Sequence, residues 1–125
     1  MSGKTKATGG VHLRITLGGG FAVGPGKADL LEGIHQTGSI AAAGRRMKMS
    51  YKRAWSLVES MNAAFREPLV TTSRGGSDRG GAALTKTGEA VLESYRRMQE
   101  LARNAIGDEI EKLNALVAGK SDISS

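Results

Sequence analysis

Five cations, Arg45, Arg46, Lys48, Lys52 and Arg53, fall within nine consecutive positions. Lys52 and Arg53 stand where the stretch from Ser50 to Phe65 begins a helical pattern, with Ala54, Leu57, Val58, Met61 and Phe65 as its apolar stripe. The N-terminal end of a helix carries partial positive charge, so cations there oppose the macrodipole at a cost of about 0.3–1 kcal/mol each. Helix stability does not explain them, whereas an anion held at that helix end does. Lysine brings a point charge; arginine brings a planar fork of donors that fits phosphate or the edge of guanine. The chemistry open to this cluster is recognition of a polyanion.

Other chemistries find little support. There is no cysteine, so disulfides, thiolate metal sites and thiol nucleophiles are excluded, and a reducing cytoplasm is the expected setting. His12 and His35 stand far apart without a ligand motif around them, so no metal site is expected. "GGSDRGGA" has the glycine spacing of a phosphate-binding loop from Gly75 to Gly80, but Gly81 and Ala82 replace the lysine and hydroxyl residue that would hold phosphate and magnesium. No nucleophile, base and orienting group occur together. The sequence therefore predicts a non-enzyme with no cofactor.

The elements that must position the cations follow from local patterns. "VHLRITL" alternates, with Val11, Leu13, Ile15 and Leu17 on one face, and predicts a half-buried strand that turns at Gly18–Gly20 and returns through "FAVG". Pro25 opens a helix carrying Leu30, Leu31 and Ile34, and Gly38 closes it. Ser39 and Ser50 are N-caps for two further helices, and the small residues Ala41 to Gly44 allow a close helix approach. After Pro68, "LVTTS" and "AALT" predict a hairpin around the basic tip "RGGSDRGG". From Thr85 towards Ala118 a long amphipathic helix carries Leu92, Tyr95, Met98, Ala102, Ile106, Ile110, Leu113 and Val117 on one stripe, with Gly107 a point of weakness.

Charge follows the same division. Residues 1–86 hold 13 basic against 5 acidic residues, net +8, and residues 87–125 hold 5 against 7, net −2. The expected organisation is a basic tail (1–10), a DNA-binding domain (11–84), a dimerisation helix (85–118) and a frayed end (119–125). No apolar run approaches the roughly 20 residues that span a bilayer, so no membrane partner is expected.

Two short helices joined by a tight turn and followed by a basic hairpin predict a mainly α fold with small β-hairpins, a winged helix-turn-helix. In that organisation the start of the second helix meets base edges in the major groove of double-stranded DNA, and nearby cations meet phosphates. The expected DNA-facing set is Ser39, Arg45, Arg46, Lys48, Ser50, Tyr51, Lys52, Arg53 and Ser56, with Arg74 and Arg79 from the wing. Arg53 is the candidate for base readout. Tyr51 has sugar stacking, a phosphate bond or inward packing open to it, and Ser56 is as readily a plain surface residue as a DNA contact. Trp55 is expected to pack behind the recognition face. The long apolar stripe exceeds what a small winged domain can cover and predicts burial against a second copy.

At "TGSI" (Thr37–Ile40), "SYKRAW" (Ser50–Trp55), "MN" (Met61–Asn62), "PLV" (Pro68–Val70) and "LTKTGE" (Leu84–Glu89), the sequence resembles the N-terminal DNA-binding domain of the molybdenum-responsive, ModE-like transcription regulators. "LT..GE" alone is shared with the winged domains of LysR-type regulators. The resemblance implies a dimeric prokaryotic regulator whose recognition helix carries Ser50 to Arg53, with the last helix as dimer arm. The family's molybdate sensor is a separate C-terminal region of small β-barrels, and no stretch here has the strands to form one. Molybdate binding is therefore not carried over.

The leading expectation is a homodimer binding a pseudo-palindromic site. Two others stand beside it: a sensor-less partner forming mixed dimers with a full-length regulator, and a sequence-blind architectural DNA binder.

Overall fold

Caps set the helix boundaries. In the computed structural model, which describes residues 10–73 and 81–118, helix α1 (Pro25–Thr37) begins with Pro25 in its first turn and ends at Gly38, whose left-handed backbone (φ 74°) lets its N–H return to the Ile34 carbonyl. Helix α2 (Ile40–Arg46) starts where Ser39 Oγ accepts the Ala42 N–H at 3.0 Å. Helix α3 (Tyr51–Ala64) starts where Ser50 Oγ accepts the Arg53 N–H at 3.1 Å. Each serine satisfies one of the donors that a helix start leaves without a partner.

Two small antiparallel pairs flank these helices. Strand β1 (Ile15–Thr16) pairs with β2 (Ala22–Val23), Ile15 opposite Val23. The ladder is shorter than the seven-residue strand expected from "VHLRITL" because its return segment reaches Gly24 and Pro25, where α1 begins. Alternation nevertheless persists: Val11, Leu13 and Ile15 are half-buried and His12, Arg14 and Thr16 exposed, while Leu17 falls on the exposed side. Strand β3 (Val70–Ser73) pairs with β4 (Gly81–Leu84), running from Val70 opposite Leu84 to Ser73 opposite Gly81. The hairpin tip holding Arg74 and Arg79 lies outside the described residues, as do most of the expected basic tail and the expected frayed end.

The apolar stripes of the helices meet in one core of Leu30, Leu31, Ile34, Ile40, Ala43, Ala54, Val58, Met61, Leu69, Val70 and Leu84. Full burial of each larger aliphatic side chain contributes about 1.5–3 kcal/mol. Leu57 and Phe65, expected in the same stripe as Val58, are only partly buried at its edge. Where α2 meets α3, a Cβ on Gly44 would lie 3.1 Å from Ala54 Cβ, so the short α2 can seat directly on α3.

Helix α4 (Lys86–Asn114) is capped by Thr85, whose Oγ1 accepts the Gly88 N–H at 2.9 Å. Gly107 does not end it. One glycine costs about 1 kcal/mol relative to alanine, too little to break a helix that continues for seven residues beyond it. Among the described residues, no helix is long and apolar enough to cross a membrane.

The described chain divides into two compact units, Arg14–Arg96 and a second holding residues 10–13 together with 97–118. This division separates the expected dimer stripe. Tyr95 is 1% exposed and Leu92 packs on the core, so both serve the interior of the first unit rather than a partner. In the second unit Met98, Ala102 and Ile110 are half-buried, while Ile106, Leu113 and Val117 are exposed, joined by Leu101 and Leu116, which lie off the expected stripe.

Candidate nucleic-acid interface

The turn between α2 and α3 is closed by two main-chain bonds: Lys48 N–H to the Arg45 carbonyl and Met49 N–H to the Gly44 carbonyl, both at 3.0 Å. This is the Schellman pattern, which requires a left-handed residue just past the helix cap. Glycine usually occupies that place; here Lys48 does, with φ 59°, at a cost of about 1–2 kcal/mol. A lysine held in a conformation suited to glycine places a cation at the corner between the two helices.

The start of α3 continues this surface. Lys52 and Arg53 lie in its first turn, which carries no acidic residue, and Ser56 stands three positions beyond Arg53 on the same helical face. Ser50, Tyr51, Lys52, Arg53 and Ser56 are all exposed, as are Arg45 and Lys48. Among the described residues, the side chains of Arg45, Lys48, Lys52 and Arg53 make no ion pair or hydrogen bond. Four unpaired cations beside a helix start form a surface of uncompensated positive potential.

Not every expected residue joins it. Arg46 donates from Nη2 to Gln36 Oε1 on α1 at 2.7 Å, which turns its guanidinium towards that helix. Ser39 is half-buried with its hydroxyl oxygen engaged at the α2 cap. Trp55 is half-buried against the core, as expected, and its indole N–H donates to the exposed Tyr51 hydroxyl. Tyr51 therefore does not pack inward.

Two carboxylates of α1 are engaged by α4. Arg96 reaches from α4 to α1, bonding Asp29 at 2.9 Å and Glu32 through Nε at 3.0 Å. Burial alone would lower the Arg96 pKa, but these carboxylates outweigh it and raise it further, so the guanidinium stays charged. This bridge fastens α4 to α1.

Residues whose roles the sequence did not disclose close the wing and tie it to α3 and to the end of α1. Asn62 on α3 bonds three main-chain groups of Leu69 and Val70. Thr85 Oγ1 donates to the Pro68 carbonyl at 2.8 Å, and Ala82 N–H donates to the Gly38 carbonyl at 2.9 Å. An asparagine near a helix end and a threonine before a helix are common, and neither announces its target.

No family model matches the chain. It is 36% identical over 117 residues to the transcriptional regulator ModE of Haemophilus influenzae, covering 91% of this chain and 46% of that protein. The chain is a homologue of the ModE transcriptional regulators. It is 32% identical to the ModE dual regulator of Escherichia coli K12, over 80% of this chain and 40% of that one. It is also 43% identical over 86 residues to the molybdenum-pterin-binding protein MopB of Rhodobacter capsulatus, covering 69% and 31%. The chain spans less than half the length of each of these relatives.

Among solved structures, the DNA-binding domain of CbnR in complex with DNA matches with a TM-score of 0.54 and 25% identity, over 70% of this chain and 93% of that one. Full-length CbnR with its target DNA matches at 0.51 and 27%, over 68% and 27%. The architecture of this ModE homologue is a winged helix-turn-helix with a long C-terminal helix.

Proposed function

We propose that this chain binds double-stranded DNA as a homodimeric prokaryotic transcription regulator, with the start of α3 in the major groove and the wing on the backbone. The observation that carries the reading is the group of exposed cations Arg45, Lys48, Lys52 and Arg53 at the helix-turn-helix corner, which have no ion-pair partner among the described residues. Two of them oppose the helix macrodipole, an arrangement that becomes favourable when a phosphate backbone meets that end. The DNA complexes formed by the CbnR proteins and the ModE homology support the same reading.

In this reading Arg53 reads a base edge, and Arg45, Lys48 and Lys52 hold phosphates. The module is a binding module rather than an enzyme, acting in the cytoplasm. Its dimer arm is the part of α4 beyond Arg96, where Ile106, Leu113 and Val117 are exposed. A dimer presents two copies of the α3 start to two half-sites.

Selection of bound duplexes from a random pool, at low and moderate salt, tests the reading. An enriched inverted repeat with half-sites about one helical turn apart is the expected result. Retention of every sequence with steep salt sensitivity and no enriched motif would overturn sequence-specific regulation in favour of architectural binding.

A further inference from the structure

Tyr51 is the first residue of α3, and Trp55 lies one turn further along the same face. Their rings meet edge to face, with centroids 6.3 Å apart at an interplanar angle of 82°. The indole N–H can only donate, so in their hydrogen bond the phenol oxygen is the acceptor. The phenol retains one proton of its own, and among the described residues no acceptor takes it. Trp55 is anchored against the core, whereas Tyr51 is 57% exposed. The pair thus holds an O–H donor in a restrained position on the outside of the recognition helix.

We infer that Trp55 is a positioning residue that sets the Tyr51 hydroxyl to donate to a phosphate oxygen of bound DNA. The inference rests on the DNA-binding reading above and adds a residue and an atom to it. Three features favour an anionic acceptor over a neutral base edge. The Tyr51 hydroxyl already accepts a hydrogen bond, which polarises its O–H into a stronger donor. Lys52 is its exposed neighbour. Finally, the first N–H groups of α3 lack carbonyl partners within the helix, so its start attracts negative charge. Because the phenol is already restrained by Trp55, less side-chain freedom is lost on contact.

The test uses the intact chain, two labelled duplexes (one selected, one of unrelated sequence), and the variants Tyr51→Phe, Trp55→Phe and the double. Each single variant should lose about tenfold in affinity on both duplexes, and the double should lose no more than either single, since one contact is removed each time. Trp55 is the only tryptophan, so its emission reports on the pair directly. Emission should shift when duplex is added to the wild type and stay unmoved in Tyr51→Phe at saturating DNA.

Additive losses, an emission shift that survives Tyr51→Phe, or a Tyr51→Phe loss confined to the selected duplex would each overturn the inference. Should Trp55→Phe melt early, Tyr51→Phe and the emission measurement still decide. A wild type that binds neither duplex would overturn the DNA-binding reading itself. A Tyr51→Phe variant that binds as well as wild type would overturn this inference alone.

Discussion

Asn62 engages Val70 on both sides of its backbone: Oδ1 accepts the Val70 N–H at 3.0 Å, and Nδ2 donates to the Val70 carbonyl at 3.1 Å. The same oxygen also accepts the Leu69 N–H at 2.8 Å. One side chain of α3 thereby completes the hydrogen bonding at the start of the wing strand. Leu69 and Val70 are buried, so water cannot readily replace it. Asn62→Ala should destabilise the fold by about 2–3 kcal/mol, the cost of leaving buried main-chain groups without partners. Urea unfolding followed by circular dichroism measures this, and a loss below about 0.5 kcal/mol would contradict the role.

A Cβ on Gly88 would stand 2.1 Å from the Leu69 carbonyl oxygen, and that oxygen already accepts the Thr85 N–H at 2.9 Å. Moving the two backbones apart would strain that bond. Gly88→Ala is therefore expected to cost about 3 kcal/mol or more, at the upper end of overpacking effects. Gly44→Ala, whose Cβ would meet the Ala54 methyl at 3.1 Å and Met49 at an ordinary 3.6 Å, should cost about 1 kcal/mol. Thermal melts of the two variants should rank them in that order.

Lys48 combines an unfavourable backbone with an exposed cation. Lys48→Gly should raise stability by about 1 kcal/mol, because glycine adopts the left-handed conformation freely. It should also weaken binding to every duplex, because a phosphate contact is lost. Lys48→Ala should weaken binding equally without the gain in stability. Paired melting and binding titrations separate the two effects.

Arg53→Ala should lose about 1–3 kcal/mol against the selected site and relax its preference at one base position. Arg45→Ala, removing a phosphate contact, should instead weaken all sequences alike and flatten the salt dependence. Competition between the selected site and single-base variants reads the difference. The same loss on every sequence from both changes would show that Arg53 does not read a base.

Leu113 is 64% exposed. Leu113→Glu should shift the chain from dimer to monomer in sedimentation while leaving the melting of the first unit unchanged. An unchanged dimer would remove this face from the interface.

The sequence by itself determined the order of the helices, both ends of α1 and the starts of α2 and α3, whereas α4, expected to run towards Ala118, stops at Asn114. Pro25, Gly38, Ser39 and Ser50 act within one turn of where they stand, so their effect is readable from neighbouring residues. It also located the cation cluster, because charges placed against a helix macrodipole are visible in sequence order alone. Only the tertiary structure decided which partner each side chain meets. Arg96 meets Asp29 and Glu32, 67 and 64 positions away, and Arg46 turns to Gln36. A helical stripe shows which face is apolar but not what covers it. Tyr95 is therefore buried and Leu92 partly buried by their own chain, while Leu113, on the same stripe, remains exposed. Hydrogen-bond targets and burial depend on which elements the fold sets opposite one another, and no local spacing encodes that.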